Sequence, residues 1–391
     1  MAKEKKKLWF IAVFALFIAY FLIAARPIPR ETVLKAIWLS SLDSDSPVFL
    51  DGAAHESEHA GDSADQFNVI PFVFGDSFGY VDINGQWAIK NIKQGHLSMS
   101  PDKWSEYGAE PSVLEIKNNR NEIIETIDNP GGYPVFLDGS IYIIGSGQNT
   151  LSKIDAAGSV IWTYEFTAPI TCADAAAGFV AAGSIDGTVE VLNPDGKELF
   201  AFEPGGSRYS VILGCVLSRD GTRFALISGI DKQRFLVFER FGGAGGDYKI
   251  IYHEFLGKGF RRPVHISFID QDRRIVFERE NGLGIYEINS RSGYLIPLDG
   301  EVAAIDDGGV DGQLFVIISQ PLSEYKKLVG VNLPDKIFVN ASFKTNDVFM
   351  GGAGSFAGLQ SFPGSRTDLS SGRRLFIGGG RTIASFELEK K

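Results

Sequence analysis

From Phe67 onward the sequence repeats one local pattern: an apolar β-rich run, a short turn, a second run closing on Asp, Asn or Gly, and a third run. The clearest copy is IYIIGSGQNTLSKIDAAGSVIWTYEF, residues 141–166, which alternates around Leu151 and Ile154, turns at Asp155–Gly158 and resumes through Val160, Trp162 and Tyr164. Residues 179–204, FVAAGSIDGTVEVLNPDGKELFAFEP, repeat it with turns at Asp186–Gly187 and Asn193–Gly196. Period-two alternation broken by tight Gly turns predicts antiparallel hairpins. Weaker copies begin at Phe78, Val113, Phe224, Ile275 and Phe315, and the last, LFIGGGRTIASFELEKK from Leu375, stops after its second run. An N-terminal strand near Phe67–Phe74 is expected to complete that final unit. Eight units from Phe67 to Lys391 give a period of roughly 40 residues, the length of a four-stranded propeller blade. One blade cannot bury both its faces, so blades must stack, and a ring removes open ends. The expected fold is all-β, a β-propeller of eight blades, with seven if the outermost repeats merge. The 45 Gly and 30 Phe suit such turn-rich, aromatic-packed structure.

The run L-x-x-I-D-A-x-G-x-x-x-W, Leu151 to Trp162, resembles the repeat of the PQQ-like propellers, the quinoprotein alcohol dehydrogenase-like family. LSRDGTRFALIS, Leu217 to Ser228, resembles the strand-turn-strand of WD40-like blades. The resemblance implies that the Gly makes the turn between the third and fourth strands and that the Trp packs between blades. It also sets a catalytic test, because quinoprotein dehydrogenases clamp pyrroloquinoline quinone over the channel with an acidic Ca²⁺ site, a base and often a disulfide of adjacent cysteines. Cys172 and Cys215 are not adjacent, and no Asp/Glu/Asn cluster surrounds a Trp. The implied role is therefore that of the family's cofactor-free binding platforms, with no catalytic, cofactor or metal residues assigned. The alternative is an enzyme, either a degenerate quinoprotein or a hydrolase at the channel mouth.

The N-terminus predicts an address. MAKEKKK precedes eighteen uncharged residues, Leu8 to Ala25, followed by Arg26-Pro27-Ile28-Pro29. Eighteen helical residues nearly cross a bilayer core. A cleavage before Arg26 would place Ile23 where a small residue is wanted, so an uncleaved signal anchor is favoured over a signal peptide. Lys3, Lys5, Lys6 and Lys7 hold the tip in the cytoplasm and place the body outside, in a bacterium in the periplasm. The expected organisation is an anchor over 1–30, a short helix at Glu31–Leu42 and a flexible acidic linker at Asp43–Gln66 that together fill 31–66, and the propeller over 67–391. The linker contains H-E-x-x-H as His55, Glu56 and His59, the spelling of a zinc hydrolase helix. Flanking Gly52 and Gly61, polar intervening residues and the lack of a helical domain to supply a third ligand argue against a metal centre.

The net charge of −10 argues against nucleic acid as a partner. Protein partners in the cell envelope, besides the membrane itself, are expected. Cys172 and Cys215 each precede a Gly (178 and 221) by six residues, which places both on inner strands of neighbouring blades. They are either a disulfide or two buried thiols. His96, His253 and His265 pair with no nucleophile at suggestive spacing. Candidate binding residues are Trp104 and Tyr107 in a loop expected over 94–111, and Lys258, Arg261 and Arg262 in KGFRRP, the main basic patch. Loops over 241–249 and 346–373 are the other expected projections.

Overall fold

The computed structural model describes residues 9, 13–20, 32–50, 69–243, 245–257, 259–320, 323–352, 355–356 and 374–390. Two compact units result, residues 34–388 and a second comprising 1–33 with 389–391. In the larger unit the chain forms eight antiparallel sheets, each built mainly from consecutive strands, and these are the blades of an eight-bladed propeller. Blade 4 shows the pattern: Ile170–Ala176, Phe179–Ser184, Val189–Leu192 and Glu198–Phe202 pair in sequence order, the first three buried and the fourth largely exposed. Its sequence dictates this gradient, since the inner strands read TCADAA and VAAGS, small and apolar on both faces, while the outer ELFAF alternates.

The turn between the third and fourth strands explains the recurring Asp/Asn and Gly. Asp82, Asn118, Asp155 and Asn193 each accept hydrogen bonds through Oδ1 from the backbone N–H groups two and four residues on. The residue three on must then take a left-handed conformation. It is Gly85, Gly158 or Gly196, and in blade 2 Asn121 (φ 67°), the side chain best able to replace Gly there. The same turn sets the register of blade 1. Its three described strands, Val69–Phe74, Ser77–Asp82 and Trp87–Ile92, carry the Asp82 turn between the last two, as third and fourth strands do elsewhere.

Eight apolar clusters fill the eight seams between neighbouring blades. Between blades 4 and 5, for example, Ala181, Val189 and Val191 meet Leu217, Phe224, Leu226 and Phe238. Between blades 8 and 1, Trp38, Phe349, Phe376 and Ile383 meet Ile70, Phe72 and Val81.

That last seam corrects two expectations. Residues of the expected 31–42 helix instead form the strand Thr32–Ser41, which is the outer strand of blade 8 beside Thr382–Lys390. It is this strand, and not Phe67–Phe74, that completes the last blade. The physical reason is a slot waiting for it. Trp38 lies wholly buried on Gly85 of the blade 1 turn and donates Nε1–H to Ile83 O at 2.9 Å, while Ser40 Oγ donates to Gly85 O at 2.6 Å. Trp162 on the outer strand of blade 3 makes the equivalent contact with blade 4, packing on Gly196 and donating to Pro194 O at 3.2 Å. In this seam the Trp has the inter-blade role the resemblance implied. Residues 43–50 of the expected linker are built onto the blades as well: Asp43 pairs with Arg381, Asp45 with Lys90, and Val48–Phe49 with the Thr32–Ser41 strand.

In the smaller unit residues 13–20 are helical, and among the described residues no helix is long and apolar enough to cross a membrane. Half of the expected Leu8–Ala25 span, and His55, Glu56 and His59, lie outside the described residues.

Because Trp38 closes the ring, Trp38→Ala is expected to cost about 3–5 kcal/mol, the range for truncating a buried aromatic. Urea unfolding followed by intrinsic fluorescence reads this as a lower midpoint; an unchanged midpoint means the strand does not close the ring.

Candidate binding surface

Buried acids are the first place to seek chemistry, and two of them, Asp174 and Asp270, hold blades together. At the end carrying the turns between first and second strands, Asp174 Oδ2 accepts from Leu217 N at 2.8 Å, Asp272 Oδ2 from Arg219 N at 2.7 Å and Asp270 Oδ1 from Gly312 N at 2.7 Å. Lys103 Nζ donates to Gly139 O at 2.7 Å, and Gly178 N to Asp138 at 3.4 Å. Each link joins one blade to the next, so together they belt blades 2 to 7. A polar cleft of about 340 Å³ between blades 6 and 7 has its cations already neutralised, Arg273 by Asp311 and Arg274 by Asp270 and Glu287. Among the described residues no group of three or more His, Cys, Asp or Glu side chains converges as a metal site.

The opposite end carries blade-to-blade connections and the turns between second and third strands. Over blades 4 to 6 these segments lock to one another. Ser207, Arg208 N–H and the Arg208 guanidinium all bond Asp231, and Ser207 Oγ lies 2.9 Å from Tyr209 O. The Ser207 hydroxyl first, then the Arg208 groups, lower the Asp231 carboxyl to about 2. Gly187 packs against Ser210 so closely that a Cβ there would lie 2.4 Å from it. Arg234 donates to Pro204 O and to Gly205 O, the latter at 3.2 Å, and stacks its guanidinium 5.0 Å from the Phe255 ring. Gln233 Nε2 reaches Gly229 O and Phe260 O, at 3.2 and 3.3 Å.

On this framework stand Ile185, Tyr209 and Phe255, 56–61% exposed, beside Arg208 with 85% of its side chain in solvent and exposed Lys232 and Arg261. Rigid exposed aromatics among cations are the residue types that anchor protein interfaces.

The expected site residues divide. Arg261 is exposed on this surface. Arg262 is half-committed: its guanidinium makes a bidentate pair with buried Glu278, at 2.9 and 2.6 Å, and stacks 4.5 Å from Phe260. Lys258 lies outside the described residues. Trp104 and Tyr107 are corrected, since the expected 94–111 loop contains the strands His96–Met99 and Lys103–Tyr107. Trp104 is 4% exposed, edge-on to Phe78 at 5.1 Å in the seam of blades 1 and 2. Tyr107 stacks on Tyr133 and hydrogen-bonds Ser98 at 3.1 Å, in the seam of blades 2 and 3. Sequence reasoning missed Arg208, Tyr209 and Phe255. The signal for the first two was the break in alternation at EPGGSRYS, too long for a turn between strands ending at Phe202 and starting at Ile212.

The sequence matches a family model described as beta-propeller protein over residues 1–359. It is 32% identical over 238 residues to an uncharacterized protein of Treponema pallidum (strain Nichols), spanning 61% of this chain and 62% of that one. Among solved structures, BamB from Moraxella catarrhalis is similar with a TM-score of 0.53 at 11% identity, covering 91% of this chain and 100% of that one. The computationally designed Ika8 protein is similar with a TM-score of 0.56 at 13% identity, covering 82% and 93%. At such identities the structural likenesses speak for the fold alone.

Two outcomes follow from this geometry. Arg262→Ala strands the Glu278 carboxylate and is expected to cost about 2–3 kcal/mol, below the usual loss for a broken buried pair because Arg262 is partly solvated. Arg261→Ala is expected to change stability by less than about 0.5 kcal/mol, and urea midpoints compare the two. For Asp231 the folded pKa lies below the ordinary value of 3.8, so its contribution is complete above that value and lost as pH falls through about 2. Hydrogen exchange at Arg208 is expected to stay protected from pH 7 to 4; loss of protection by pH 5 contradicts the clasp.

Proposed function

Since this chain belongs to the β-propeller protein family, we propose that it is a protein-binding module whose contact surface is the locked loop end of blades 4 to 6. The observation that carries this reading is the display of Arg208 and Tyr209 on one blade connection and of Phe255 and Arg261 at the next, both bonded to the turn 229–234 between them. Ordering entropy is already spent in the free protein, which favours binding through these side chains. The exposed cations Lys232 and Arg261 beside these aromatics suit an acidic segment of the partner. No chemical step is needed for this role.

The proposal includes a location. The apolar run Leu8–Ala25 behind four lysines supports a single-pass anchor in the cytoplasmic membrane, with the body facing the periplasm and its partner in the envelope.

Crosslinking in cells followed by co-purification tests the binding role. Tyr209→Ala combined with Arg261→Glu is expected to lower recovery of the crosslinked partner at least ~10-fold while leaving the urea midpoint in place. Equal recovery by the variant sinks the proposed surface. A periplasm-dependent reporter fused after Lys391 is expected to be active; activity of only a cytoplasm-dependent reporter overturns the location.

A further inference from the structure

The chain has two cysteines, and folding brings them together from 43 residues apart. Cys172 lies on the inner strand Ile170–Ala176 of blade 4 and Cys215 on the inner strand Ile212–Leu217 of blade 5. Their sulfurs are 3.4 Å apart, and both residues are at most 1% exposed. The approach is fixed on either side. Thr171 Oγ1 donates to Ile212 O at 2.6 Å before the pair, and Leu217 N donates to Asp174 Oδ2 at 2.8 Å after it. Small neighbours permit such closeness: a Cβ on Gly183 would lie 2.4 Å from Ile212 and 3.0 Å from Cys172 Sγ.

We propose that Cys172 and Cys215 are a redox pair that closes to a disulfide, stapling the inner strands of blades 4 and 5. In that step a bond forms between the two Sγ atoms and each thiol gives up its proton. The two electrons pass to an external disulfide, small-molecule or protein, whose S–S bond opens to two thiols. From 3.4 Å the two sulfurs must come closer by roughly 1.4 Å to reach a disulfide bond length. The Cys172 contact, burial and nearby Asp174 hold the Cys215 thiol well above its ordinary range, which disfavours the attacking thiolate once the seam is packed. Closure therefore belongs to folding, before blades 4 and 5 seal, and the finished bond is shielded from reductant afterwards. The staple closes a loop of 43 residues and removes freedom from the unfolded chain.

Full-length protein made in a cell-free extract poised with oxidised glutathione, in detergent, tests this. The sample is quenched in acid, unfolded and alkylated with a maleimide. Both thiols are expected to be protected together, with an intact mass lower by the two thiol hydrogens. The melting temperature is expected to stand a few degrees above that of protein made with dithiothreitol. Cys172→Ser and Cys215→Ser should each melt alike under the two conditions. Alkylation of both sulfurs, glutathione retained on either as the stable product, or equal melting temperatures for oxidised and reduced wild type overturns the proposal.

Discussion

Every blade is a sheet with apolar side chains on both faces, and only another blade can cover them. Packing across the seams is thus the interaction on which the rest of the molecule depends. Eight clusters occupy eight seams, and each contains residues from two consecutive blades. A blade removed from the ring would expose two such surfaces, with large side chains such as Phe224, Phe235, Phe277 and Phe315 that are now wholly out of water. Dispersion and dehydration at the seams also dictate residue size. Where Phe235 stacks on Phe277 at 4.0 Å across blades 5 and 6, the facing position is Gly284, whose absent Cβ leaves room for the Phe277 ring.

The two ends of the ring then specialise. One end spends its polar side chains on neighbours, so that Asp174, Asp270, Asp272 and Lys103 are consumed in joining blades. The other end joins loops to loops, and this leaves Arg208, Tyr209 and Arg261 outward on a stiff base. The division separates a face that resists distortion from one that can meet a partner.

The sequence made the blades legible because hairpins are local. Asp155 and Gly158, or Asn193 and Gly196, write the turn within four residues, and alternation marks the strands on either side. What it hid was non-local. ETVLKAIWLSSL carries apolar residues at helical spacing, and nothing within it shows that its partner is Thr382–Lys390 at the other end of the chain. Trp38 lacked the preceding Asp-x-x-Gly that marks Trp162, because the strand before it in space comes last in sequence. For the candidate surface, KGFRRP announced charge, but the commitment of Arg262 was written sixteen residues on, at Glu278. Trp104 read as a displayed aromatic in a loop because the short strands around it, of four and five residues, hardly alternate.

The strand that closes blade 8 has a consequence for synthesis. A ribosome delivers Thr32–Ser41 first and its partner Thr382–Lys390 last. Blades 2 to 7 are contiguous in sequence and can assemble as they emerge, each covering the face left open by its predecessor. The closing strand must wait with an unpaired edge while the strands of blades 1 to 7 are made, the state most open to wrong pairing. Vectorial synthesis and ring closure therefore run in opposite order, and the length of the exposure is set by the number of blades between the two strands.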